Sequence, residues 1–178
     1  MNLKKDKIIA VIGIFILTFI FHFVYEFVPC GITAIFFPVN ESIWEHLKLI
    51  FTSIVFYGII DYILLQKFNI KYNNFFTSLF VSAFTSVPIF LIMYLPLFYK
   101  IGPKFLLNIS IMLVAIIISQ IISYNILKAK DYDKINTISL ILIIISYIVF
   151  AYLTYNPIKN ELFFDTKDEK YGINNYNV

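Results

Sequence analysis

The chain has 178 residues, 60% of them hydrophobic and only 14% charged, with a formal net charge of +3 and a mean hydropathy of +0.83. A soluble domain is nearer half apolar and a quarter charged, whereas a membrane span takes about 20 apolar residues, so this composition suits about five spans and no separate water-soluble domain. It excludes a soluble enzyme, a disulfide scaffold (Cys30 is the single cysteine) and a disordered chain, and no phosphate loop or basic groove points to nucleotide or nucleic acid.

The first apolar run opens behind Lys4, Lys5 and Lys7 and covers about 8–28. It lacks the small-residue cleavage site of a secretory signal and is expected to remain as a helix. Cys30 follows Val28 and Pro29, without the small residue that precedes a lipidated cysteine. A polar turn, Pro38 to Ser42, leads into a second span over about 47–66. Further spans are expected over about 75–95, 105–127 and 135–155, followed by a short polar tail, 156–178, whose only apolar patch is Leu162-Phe163-Phe164. In the third span Ser78, Ser82 and Ser86 form a small-residue stripe suited to close helix packing. Pro88 and Pro96 are expected to kink and end that helix, and Gln120 in the fourth is a candidate for bonding across to a neighbour. The expected fold is all-α: a polytopic membrane bundle of about five transmembrane helices in a single domain over 1–178.

All basic residues are Lys and none is Arg, which fits the codon usage of an A+T-rich bacterial genome. With the N-terminus inside, eight lysines (4, 5, 7, 67, 71, 128, 130 and 134) fall on the cytoplasmic side and six (48, 100, 104, 159, 167 and 170) outside. Discounting Lys167 and Lys170, far from the last span, strengthens that bias. The expectation is a multi-pass cell-membrane protein with a cytoplasmic N-terminus and an external C-terminus, the lipid bilayer being the one partner implied.

Candidate chemistry gathers at the outer side. His22 and Glu26 lie four apart on one face of the first helix, and His22 sits roughly 9 Å below its end at 1.5 Å per residue. Glu41, Glu45 and His46 lie at the start of the second helix. Ionisable groups at such depth are costly and normally face a partner or a wet cavity. His22, Glu26, Glu45 and His46 are therefore expected to converge as candidate metal ligands, with Glu41 and Lys48 at the rim and Glu41 and Glu45 as catalytic carboxylates. Two imidazoles with carboxylates favour zinc over calcium or magnesium, although no His-Glu-x-x-His spacing is present. Asp61, about 24 Å along the helix from Glu45, is either paired with a loop lysine or the inner half of a proton path.

A structural reading competes. Asn40 is a good N-cap, with Val39 and Trp44 placed for a hydrophobic staple, and Ser42 with Glu45 fits a capping box if the helix begins two residues later. Trp44 also suits the membrane interface. Capping accounts for Asn40, Ser42, Trp44 and one Glu, but not for His22, Glu26 and His46 together.

The run Asn40-Glu41-Ser42-Ile43-Trp44-Glu45-His46-Leu47-Lys48, preceded by His22-Phe23-Val24-Tyr25-Glu26, resembles a family of small multi-pass bacterial membrane proteins of unknown function. That family carries an Asn-Glu-Ser-x-Trp-Glu-His-x-Lys segment and a Leu-Phe-x-Asp tail ending in Tyr-Gly, matched here by Leu162-Phe163-Phe164-Asp165 and Tyr171-Gly172. The resemblance spans nearly the whole chain and implies a membrane protein without an assigned activity. From the residues themselves three functions stand open: a metal-dependent hydrolase acting on a lipid or envelope substrate, a small proton- or ion-coupled transporter or channel subunit, and a structural or accessory subunit.

Overall fold

The computed structural model describes residues 1–102 and 104–173. Within them the chain forms α1 (Leu3–Phe27), a short α2 (Gly31–Phe36), α3 (Ile43–Lys67), α4 (Phe75–Ile101), α5 (Phe105–Lys128) and α6 (Asp133–Tyr155). A two-stranded antiparallel hairpin follows, β1 (Phe164–Asp165) and β2 (Lys170–Tyr171). Five helices are long and apolar enough to cross a membrane, each exceeding the hydrocarbon thickness of about 30 Å at 1.5 Å per residue. The molecule is an all-α multi-pass bundle with a small β element on its tail.

The helix α3 is central. It packs against α1 and α4, while α4 also lies along α5 and α6, and α1 along α5. Just over half of its most apolar stretch is buried, against a third or less for the other spans. Its core residues Leu47, Ile50, Phe51 and Ile54 meet Ala10 and Ile14 of α1, Ala83 and Phe90 of α4 and Ile116 of α5. The outward faces are apolar instead: Ile12, Ile16 and Ile20 of α1 and Ile141, Ile144 and Ile148 of α6 are exposed. In water that pattern would be an aggregation surface; facing acyl chains it carries no penalty. The Ser78, Ser82 and Ser86 stripe is buried, each hydroxyl donating to the carbonyl three residues earlier, and α5 carries its own buried small residues at Ala115, Ser119 and Ser123.

Three element boundaries depart from expectation. Helix α4 runs through Pro88 and Pro96 and ends only where Gly102 adopts φ +72°. In a bilayer the backbone has no water to bond to once a helix is left, so prolines are carried rather than obeyed. Helix α3 begins at Ile43, four residues before the apolar run, because Ser42 caps it and the Glu45 of its first turn is buried among polar partners. The segment between the first two spans also holds the unanticipated α2, which Thr33 organises by accepting from Cys30 N–H at 3.1 Å while donating to the Val28 carbonyl.

The ends of α1, α4 and α6 and the starts of α3 and α5 lie on one face of the bundle, here called the site face. The tail folds back over it.

Candidate functional site

The N-cap of α3 is Ser42, whose Oγ accepts from Glu45 N–H at 3.4 Å. Asn40 stands one step back: its Oδ1 accepts from Ser42 N–H at 2.9 Å and its Nδ2 donates to the Gly172 carbonyl at 3.0 Å. The loop before the helix is therefore held by side chains, and Glu41, between these two, is not bound to the helical register.

Three groups meet there. His22 Nε2 lies 3.5 Å and His46 Nε2 3.7 Å from Glu41 Oε2, the imidazole centroids are 5.5 Å apart, and one ligand atom from each residue lies within 4.8 Å of the others. His46 Nδ1 is 2.9 Å from the Ser42 carbonyl. A carbonyl only accepts, so Nδ1 carries the proton and a neutral His46 turns the lone pair of Nε2 towards Glu41. The Glu41 carboxyl is held down at about 2, chiefly by the hydrogen bond from His22 and by nearby positive charge that includes Lys167, opposed by partial burial. Glu41 is thus an anion facing a lone pair.

The other expected ligands lie elsewhere. Glu45 follows Ser42 by three and His46 by minus one, and adjacent residues on a helix diverge by about 100°. While His46 faces α1, Glu45 faces the interior. There it is fully buried and engaged, with Oε2 at 2.6 Å from Lys48 Nζ and 3.1 Å from Val39 N–H, and Oε1 accepting from the Thr154 hydroxyl at 3.1 Å. Lys48 also donates to the Ala34 carbonyl at 2.8 Å and to Thr154 Oγ1 at 3.0 Å. Lys48 is therefore interior, not at a rim, and this network joins α2, the loop, α3 and α6. The reciprocal arm of a capping box is replaced by the bond to Val39. Glu26, one turn beyond His22, is exposed at the end of α1 and stands outside the trio. With Ser42 as the N-cap, Trp44 is not at the staple position opposite Val39: its indole stacks on Phe163 at 4.7 Å and its backbone N–H donates to the Leu162 carbonyl.

Asp61 lies near the opposite face, paired with Lys7 of α1 rather than with a loop lysine. The fully buried Asp6 carboxylate is 3.8 Å from the same ammonium.

The tail completes the site. Asp165, wholly buried, accepts from Glu41 N–H through Oδ2 at 3.0 Å and from Lys167 N–H through Oδ1 at 2.8 Å. Gly172 has φ +55°, and a Cβ there would sit 2.5 Å from the Thr154 carbonyl. Both ends of the tail motif thereby grip the loop that carries Glu41. Under this roof lies a cavity of about 540 Å³ with the trio on its wall. Sequence reasoning passed over Asn108, Tyr94, Glu161 and Lys167, which also line it. The available signal was the Leu162-Phe163-Phe164 patch, an apolar cluster in a polar tail that had to dock somewhere.

Two imidazoles and one carboxylate, with no fourth protein ligand in the cluster among the described residues, are a set of the kind that could hold a metal ion with one position open. Neither a curated protein nor a solved structure matches the chain. A family model does match, over residues 1–173, and its span includes the His22, Glu41 and His46 trio, the Asn40 to Lys48 segment and the Asp165 to Gly172 clamp. The chain belongs to DUF6512, a family of unknown function.

Proposed function

We propose that His22, Glu41 and His46 bind one zinc ion on the outer face of the cell membrane and that the protein is a metal-dependent hydrolase of a lipid or envelope substrate. The observation that carries this is the facing of two lone-pair atoms, His46 Nε2 and Glu41 Oε2, 3.7 Å apart, with the proton of His46 committed to Ser42. With His46 neutral such a contact is repulsive, and either a bridging cation or a proton on Nε2 relieves it. Ligand atoms around tetrahedral zinc are spaced about 3.4 Å from one another, close to the 3.5 and 3.7 Å found here. The Ser42 carbonyl on His46 Nδ1 is the outer-shell partner that metal-bound histidines use. The three residues line the cavity, and an ion held by them would polarise a carbonyl or activate water there. Glu161 is the other carboxylate on the wall and the candidate general base; Glu45, locked by Lys48, leaves that role.

The transporter reading finds less support. Asp61 is tied to Lys7, and the residues between it and the trio are mainly apolar, Ile50, Ile54, Ala10 and Ile14 among them, with the uncharged Thr18, Thr52, Ser53 and Tyr57 interspersed.

Metal analysis of protein purified without chelator tests the site. About one zinc per chain, lost in the His22→Ala, His46→Ala variant, is the expected result. A folded preparation free of transition metal would leave a hydrogen-bonded His and Glu network and no hydrolase. The placement of the whole chain as one membrane domain with N-terminus inside is tested by reporter fusions at Lys130 and the C-terminus, which should report opposite sides.

A further inference from the structure

The cavity beneath the tail is deeper than a metal site needs. On α4 its wall carries Phe98, Tyr94 and Phe90, one per turn, and on α5 Phe105, Ile109 and Met112. Phe90 lies eleven residues before the end of α4, about 16 Å inward, and Met112 seven residues after the start of α5, about 10 Å. The shaft therefore descends about one leaflet of a hydrocarbon core roughly 30 Å thick. It is bounded by α1, α3, α4 and α5 and covered by the tail, and it is open at its rim, where Phe19, Phe23 and Phe105 are exposed.

Its polarity is graded. The trio, Glu161 and Lys167 stand at the mouth, and aromatic and aliphatic side chains line the depth. Two buried polar atoms on the wall have no partner: His22 Nδ1 and Asn108 Oδ1. Asn108 touches the Tyr94 hydroxyl, but its carbonyl oxygen waits for a donor. A buried polar atom left without a partner is costly, and a hydroxyl or amide group on a ligand near the mouth would satisfy one.

Size selects among lipids. A methylene fills about the volume of a liquid water molecule, about 30 Å³, so about 540 Å³ holds about 18 such groups. That is one chain of moderate length with a few head-group atoms, and not two chains. We infer that this cavity is the binding site of a single-chain amphiphile, its acyl chain in the shaft between α4 and α5 and its hydroxyl- or amide-bearing head at the trio. The inference uses the hydrolase reading only to say what happens to that head; binding itself stands on the shaft.

The test uses full-length protein in phosphatidylcholine vesicles, with a 16-carbon lysophosphatidylcholine carrying a photoactivatable diazirine at the chain end. After illumination, labelled residues are mapped by mass spectrometry and zinc is measured in the same samples. Label is expected to concentrate on Phe90 and Met112, to fall at least ten-fold with excess unlabelled lysolipid, and to fall as far in Ile109→Trp, which fills the shaft. Because Ile109→Trp could misfold, the competition arm decides the matter in unaltered protein. Label spread over the lipid-facing Ile141 and Ile144 and insensitive to competitor overturns the inference. Zinc without shaft labelling removes the amphiphile alone; shaft labelling without zinc supports the amphiphile and removes the hydrolase.

Discussion

Glu41 is the residue on which the site turns, and its position explains why. Lying just before the helix, it is aimed by Asp165 on its N–H and by the bonded Asn40 and Ser42 on either side. His22 stabilises its ionised form and holds its carboxyl at about 2, below the ordinary 4.5. A carboxyl depressed on folding contributes stability that is fully present above about pH 4.5 and is lost as pH falls towards 2. Because the side chain is 39% exposed, screening reduces the contribution to about 1 kcal/mol, or about 2–4 °C in unfolding midpoint. Midpoints measured between pH 7 and 3 should therefore converge for the parent and Glu41→Gln as the acid limb is descended. A constant gap across that range would show that Glu41 is not ionised by its neighbours. Zinc content at pH 7 should fall in the same variant.

At the scale of elements, the buried Glu45 and Lys48 pair fixes the start of α3 against α2 and α6. Each polar atom of the pair has a partner in Val39, Ala34 or Thr154, the condition under which a desolvated ion pair is tolerable. Lys48→Met removes the cation and strands the carboxylate, at a cost of about 3–5 kcal/mol. The double variant Glu45→Gln, Lys48→Met removes both charges and should recover more than half of that loss; equilibrium unfolding of the three proteins gives the comparison. Equal loss in single and double variants would mean that packing, not charge, holds the junction. The pair also shows where sequence reading stops. Hydropathy found five spans and their order, because lipid demands long apolar runs. It could not separate Glu41 from Glu45, since a cap at Asn40 would put both in α3 on one face, whereas the cap at Ser42 leaves Glu41 outside the helix and Glu45 in its first turn. The short α2 was illegible because six residues between the Pro29-Cys30 and Phe37-Pro38 pairs carry no period.

At the scale of the molecule, charge is confined to the two ends. Between them α3 presents Ile50, Phe51 and Ile54, and from His46 to Asp61 the rise is about 22 Å. At the far end one ammonium serves two buried carboxylates, Asp61 directly and Asp6 at 3.8 Å. That asymmetry gives an ordered expectation. Lys7→Met leaves two carboxylates without a cation and should destabilise by about 3–5 kcal/mol. Asp61→Asn leaves the Lys7 ammonium its second carboxylate and should cost clearly less. Neither variant should change zinc per folded chain, because the buried polar residues between the two ends, Thr18, Thr52, Ser53 and Tyr57, are uncharged and set among apolar helix faces. Unfolding midpoints order the two variants, and metal analysis of the folded fraction reads the coupling. Loss of zinc in Asp61→Asn without loss of fold would mean that the two ends communicate through the bundle, and would move the weight of evidence to ion-coupled transport.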